Sequence, residues 1–233
     1  MRPLETKPAG DTRRTKMNWS KFGVAAAAAV MAAALSFAAP PEAQAKNDPI
    51  FQTAPLIPND GVTQFPGAGL LYRTKRAIWA NLSIQGLDAN AGYTVWWVVF
   101  NNPKRCSVAT PDIGAFCGEA DLFDSKVNAT VFYAAGFITG EDGTANVSAH
   151  LEDGRVPDTI DVVVGRNGIA ADNGERPGLK RRNGLKAEVH MQVRSHGPLS
   201  DPVPDEEQMS TFDPTLPEGA DQVFVIFPGP GLE

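Results

Sequence analysis

Several familiar chemical signatures are missing from this 233-residue chain. No GxSxG nucleophile elbow, no HExxH pair and no glycine-rich phosphate loop occurs. There are only two cysteines, and neither lies in a CxxC or beside a histidine, so they do not form a thiol redox or zinc motif. Positive charge is short: 21 Lys and Arg against 27 Asp and Glu. Residues 1–45 hold six of the basic and three of the acidic side chains, leaving the remainder at a net charge of −9. A surface this acidic excludes a general nucleic-acid binder, which needs a surplus of Lys and Arg against phosphate. No window carries the 3.6-residue periodicity of an amphipathic helix, no fixed-period repeat is visible, and after residue 39 no apolar run is long enough to span a bilayer.

What is present begins with an export segment. Arg13, Arg14, Lys16 and Lys21 form a cationic region, Gly23 to Ala39 an alanine-rich apolar region, and Ala43-Gln44-Ala45 a small-residue cleavage site. The expectation is a signal helix over residues 1–45, cut after Ala45, with no stable membrane span afterwards. A Sec route is favoured. Arg13-Arg14 admits a twin-arginine route, although Thr12 and Thr15-Lys16-Met17 match that pattern poorly. Met17 is an alternative start, since Met17 to Ala45 alone reads as a compact signal. The predicted location is the periplasm or the extracellular space. That compartment is oxidising, so a Cys106–Cys117 disulfide is expected.

Residues 46–76 are rich in Pro and Gly and read as an irregular segment preceding the domain, which is assigned to residues 77–233. Short strand-like runs then alternate with turn signals. Ile78, Ala80, Leu82 and Ile84 share one face. Tyr93 to Phe100 is apolar on both faces, which predicts a central strand covered on both sides, with Trp96 and Trp97 pointing oppositely. Asn101 to Asp124 is a long loop carrying both cysteines. Thr130 to Thr139 is a strand in which Gly136 marks a bulge or a close backbone approach, and Glu141-Asp142-Gly143 reads as a hairpin turn. Strands follow at Ala145 to Leu151, Thr159 to Val164, Lys186 to Ser195 and Gln222 to Phe227. About seven short strands with frequent turns give an all-β fold class. The expected architecture is an antiparallel two-sheet sandwich, Ig-like or related.

Two stretches carry a resemblance. Gly86-Leu87 followed by Gly92-Tyr93-Thr94-Val95-Trp96-Trp97-Val98-Val99-Phe100-Asn101-Asn102-Pro103 is one. Ala187-Glu188-Val189-His190 through Val193-Arg194-Ser195-His196-Gly197-Pro198 is the other. Over roughly residues 76–227 the chain resembles a family of secreted bacterial β-sandwich proteins with no assigned activity. The resemblance implies an exported sandwich and no particular chemistry.

The candidate site residues are His190, His196, His150, Glu188 and Arg194. In a continuous strand Glu188, His190, Gln192 and Arg194 face one way, with a Glu188–Arg194 network expected among them, and His196 repeats the same side. His150 lies on another strand as a possible cross-strand neighbour. Imidazole with carboxylate suits Cu(II) or Zn(II). The close trio Glu119, Asp121 and Asp124 reads as a solvated acidic loop rather than a Ca²⁺ site. Three readings follow. The first is a non-catalytic binding module with an unknown protein or envelope partner, engaged through the polar strand face and the loop Arg166–Gly184. The second is a Cu- or Zn-binding protein using the three histidines. The third is a hydrolase with a dispersed acid and histidine site.

Overall fold

The computed structural model describes residues 48–60, 63–107, 114–157, 160, 162–165, 168–169, 177–199 and 221–230. The expected signal segment, residues 166–167 and 170–176 of the loop Arg166–Gly184 and the acidic stretch 200–220 therefore lie outside the described residues. Among the described residues there are eleven strands: β1 (Ile50–Ala54), β2 (Ile57–Pro58), β3 (Gly67–Arg73), β4 (Ala77–Ile84), β5 (Ala91–Phe100), β6 (Ala129–Ile138), β7 (Ala145–Glu152), β8 (Val162–Gly165), β9 (Gly168–Ile169), β10 (Glu188–Pro198) and β11 (Asp221–Phe227). They form a four-stranded sheet in the order β1-β3-β4-β7 and a larger sheet in the order β2-β11-β10-β5-β6-β8-β9. All the pairings are antiparallel. The chain is thus the expected all-β two-sheet sandwich. Among the described residues no helix is long and apolar enough to cross a membrane.

Two apolar clusters hold it together. The larger lies between the sheets and is built from the inward alternation of both: Ile78, Leu82 and Ile84 from β4, Trp97 and Val99 from β5, Val189, Met191 and Val193 from β10. The second lies on the outer side of the larger sheet. There Trp96, Val98 and Phe100 pack against Cys117, Leu122 and Val127 of the long loop. Every residue of β5 is buried, as its two-sided apolar sequence predicts, and Trp96 and Trp97 go to opposite clusters. A strand with no polar face folds stably only when both sides are covered. The loop after β5 supplies the second cover.

Three expectations are corrected. Residues 46–76 are not wholly irregular, because β1 and β3 lie within them and form half of the smaller sheet. Gly67 and Gly69 disguise β3. An added Cβ at Gly69 would stand 2.4 Å from Val225 Cγ1, so glycine is required there by the approach of β11. The bulge in β6 falls at Ala134, where the pairing of Val95 with Ala135 passes to Trp96 with Tyr133, and not at Gly136. The turn Glu141-Asp142-Gly143 is real but connects the two sheets rather than closing a hairpin. Gly143 has φ +61°, and a Cβ there would meet Leu87 O at 2.1 Å.

A candidate functional site on the smaller sheet

The residues singled out from the sequence divide into separate places. Cys106 and Cys117 are bonded, with Cα atoms 5.1 Å apart. The bond pins the loop over the start of β10. Beneath it Glu188 is fully buried, and its carboxylate accepts hydrogen bonds from Phe116 N (3.0 Å), Cys117 N (3.0 Å) and His190 Nε2 (2.7 Å). The His190 ring lies 5.0 Å from that of Phe100. Among the described residues Glu188 is the hydrogen-bond partner of His190, which leaves the imidazole paired with a buried carboxylate.

His196 is held elsewhere. Trp96 Nε1–H donates to Thr94 Oγ1 (2.9 Å), and Thr94 Oγ1 is hydrogen-bonded to His196 Nε2 (2.9 Å). His190 is registered opposite Val98, whereas His196 Nε2 is bonded to the Thr94 side chain. At ~3.3 Å per residue Val98 and Thr94 are ~13 Å apart, too far for one ion bound at ~2 Å from each imidazole nitrogen. His150 is on β7 in the other sheet, exposed on its outer side. It is not a cross-strand neighbour of β10, and the three imidazoles do not converge. Among the described residues no group of three or more His, Cys, Asp and Glu is placed to hold a metal ion.

The Glu188–Arg194 network is also corrected. Glu188 is satisfied by the backbone of the disulfide loop and by His190, while Arg194 sits half-buried at the far end of the strand beside Thr94. Hence the face Glu188, His190, Gln192, Arg194 is not an open contact surface, because the loop covers its first half. Asp121 belongs to the same cover and is buried rather than solvated. It accepts hydrogen bonds from Ser107 N (2.8 Å), Ser107 Oγ (3.0 Å) and Gly118 N (2.9 Å). Burial raises the carboxyl pKa of neighbouring Glu119.

The charge that balances Glu188 comes from an unexpected residue. Arg73, inward on β3, is fully buried. Its Nε–H donates to Gln52 Oε1. One terminal nitrogen donates to Gly184 O (3.1 Å) and Ala187 O (2.7 Å), the other to Phe227 O (3.0 Å) and Pro228 O (3.3 Å). All five guanidinium protons are engaged, tying the smaller sheet to the ends of β10 and β11. Burial pulls the guanidinium down to about 9, opposed by the Glu188 carboxylate. Asn101 does similar work beside it, accepting from Lys180 N (2.7 Å) and donating to Gly178 O (2.9 Å). These polar groups are structural ties.

The open site is on the other side of the molecule. Phe51 on β1, Tyr72 on β3, Trp79 on β4 and His150 on β7 are direct cross-strand partners, so one row crosses the whole smaller sheet. Their rings follow one another at 4.6, 5.3 and 4.6 Å, the last pair stacked at 12°. Phe51 is 80% exposed, Leu70 51% and Trp79 39%. Two residues along each strand a second row runs Thr53, Leu70, Asn81, Ser148, in which Asn81 Nδ2 donates to Ser148 Oγ (3.0 Å). Between the rows lies a shallow, mostly apolar groove of about 420 Å³.

Of this row the sequence reading named only His150, and for another role. The alternation Ala68, Leu70, Tyr72 was available as a signal but was masked by glycine. Comparison with protein-family models, with curated proteins and with solved structures finds no match to this chain.

Proposed function

We propose that this protein is an exported, non-catalytic binding module of the bacterial cell envelope. It engages its partner through the aromatic row of the smaller sheet rather than through β10. The observation that carries this is the line of Phe51, Tyr72, Trp79 and His150, uncovered among the described residues and flanked by exposed Leu70. Large apolar side chains aligned on one face of a folded protein mark interaction surfaces, because water is expelled from them when a partner docks. The disulfide, the signal-like opening and the resemblance to secreted sandwich proteins support export. No observation favours the metal or the hydrolase reading over this one.

The test is co-sedimentation of the purified disulfide-bonded protein with isolated bacterial envelope fragments. Wild type is expected in the pellet, and a Phe51→Ser, Trp79→Ala double variant in the supernatant. Equal partitioning of the two would refute the proposal.

A further inference from the structure

The chemistry of the groove also selects its occupant. Resting on the binding-module reading, we infer that the smaller sheet binds an uncharged oligosaccharide chain, laid across the four strands between the aromatic row and the Asn81–Ser148 pair.

Charge supplies the first argument. The chain is 21% charged residues, yet the outward positions of β1, β3, β4 and β7 carry a single formal charge, Glu152 at the end of β7. A nucleic acid, a charged peptide or an anionic lipid surface would need complementary charges here, since electrostatic matching sets specificity at such contacts. A neutral ligand needs none.

Size supplies the second. Four strands at ~4.8 Å spacing set the two rows ~14 Å long, and two residues along each strand set them ~7 Å apart. Even with side-chain overhang, the groove offers roughly 300 Å², well below the ~800 Å² per partner of a stable protein–protein interface. The face is thus too small to hold a second copy of this chain.

Direction supplies the third. A peptide that binds a sheet usually adds as a strand along an edge and is held by backbone hydrogen bonds. This groove crosses the strands, where every backbone group of the two inner strands is already used in the ladder. An acyl chain would want an enclosed apolar pocket, and this groove is open with an amide and hydroxyls along one side. A sugar chain matches both rows. Its C–H faces carry slight positive charge and sit well on the negative faces of aromatic rings, which Phe51 presents at the sheet edge. Its hydroxyls exchange hydrogen bonds with Asn81, Ser148 and Thr53, and the His150 imidazole offers one donor and one acceptor.

The experiment is affinity electrophoresis of the full disulfide-bonded protein in native gels. The gels contain neutral polysaccharides (dextran, amylose, mannan and a soluble β-glucan) or the polyanions alginate and heparin. At least one neutral polymer is expected to retard wild type, with no retardation by the polyanions. Trp79→Ala is expected to weaken that retardation at least tenfold, and Asn81→Ala severalfold. Phe51→Ser provides a variant whose side chain is too exposed to affect folding, and it should weaken binding as well. Retardation by polyanions alone would overturn the inference. So would a dimer in sedimentation equilibrium that Trp79→Ala disperses. If no neutral polymer retards the protein while envelope co-sedimentation still depends on Trp79, the sugar assignment falls and the binding-module reading survives. If neither assay responds, both fall.

Discussion

Arg73→Met removes a cation that the fold has buried completely, and its cost can be worked from the structure. The substitution keeps most of the side-chain volume but deletes five donated hydrogen bonds. Hydrogen bonds from a charged group contribute about 1.5–3 kcal/mol each. Those figures are already net of desolvation, and burial, partly offset by the Glu188 carboxylate, lowers the guanidinium to about 9, so the low end of the range applies. Gln52 and the Pro228 carbonyl are only part-buried and can recover water, which reduces the loss further. The expected loss is about 3–5 kcal/mol, a large share of the ~5–15 kcal/mol that holds a typical domain together. Arg73→Lys, with three donors and no fork, should lose about 2 kcal/mol. Urea unfolding with the disulfide intact measures both. The reasoning fails if Arg73→Met unfolds within about 1 kcal/mol of wild type, since desolvation would then have matched the hydrogen bonds.

Other outcomes follow from the same geometry. Replacing Cys106 and Cys117 by serine should lower stability by about 3 kcal/mol, from the chain entropy of an 11-residue separation. It should also speed amide exchange at Phe116 and Cys117, whose N–H groups then lose their hold on Glu188. Gly143→Ala should cost at least about 2 kcal/mol, because φ is +61° and the new Cβ meets Leu87 O, as thermal unfolding will show. Burial raises the pKa of Tyr93 and of Tyr133 above 10. Each therefore contributes stability that is present below pH 10 and lost as pH rises through its native value. Arg73, with a lowered native pKa, contributes with the opposite sign in that range. The clean readout is thus phenolate absorbance of the Tyr93→Phe and Tyr133→Phe variants against wild type during a pH titration, expected to show that each substitution removes absorbance that develops above pH 10 and refuted if the lost absorbance develops below it.

Residues whose neighbours in sequence decide their environment were legible, and residues satisfied from a distance were not. Tyr93 to Phe100 could be read as doubly covered because a strand with no polar face has only one stable setting. The disulfide followed from two cysteines and an export-like opening that implies an oxidising compartment. The alternation of β10 was visible, and with it the shared face of Glu188, His190 and Arg194. What that face meets was not visible, because Glu188 is satisfied by the N–H groups of Phe116 and Cys117, and backbone donors leave no mark in a sequence. Arg73 was hidden for the same reason. An arginine at an inward strand position looks like a violation of the pattern until carbonyls more than a hundred residues away, at Gly184, Ala187 and Phe227, supply its acceptors. In β3 the glycines that lower local strand propensity are there for close approaches, Gly67 to the Ser83 backbone of β4 and Gly69 to Val225 of β11, so tertiary packing erased the local signal.

The two outer faces of the sandwich also explain why one is closed and the other open. On β5 the outward positions Trp96, Val98 and Phe100 are apolar without interruption, and Cys117, Leu122 and Val127 of the following loop pack over them. On β4 the outward sequence is Trp79, Asn81, Ser83, and on β7 it is Asn146, Ser148, His150. A permanent cover there would bury amides and hydroxyls that need partners, at about 1–3 kcal/mol for each left unpaired. Aromatic rings in one row repel water while the polar row beside them retains it. A permanently buried face gains nothing from that mixture, whereas a face that exchanges water for a hydroxyl-bearing ligand uses both rows. The same outward positions that earned β5 its cover on one sheet, set with alternating chemistry on the other, leave that face uncovered among the described residues.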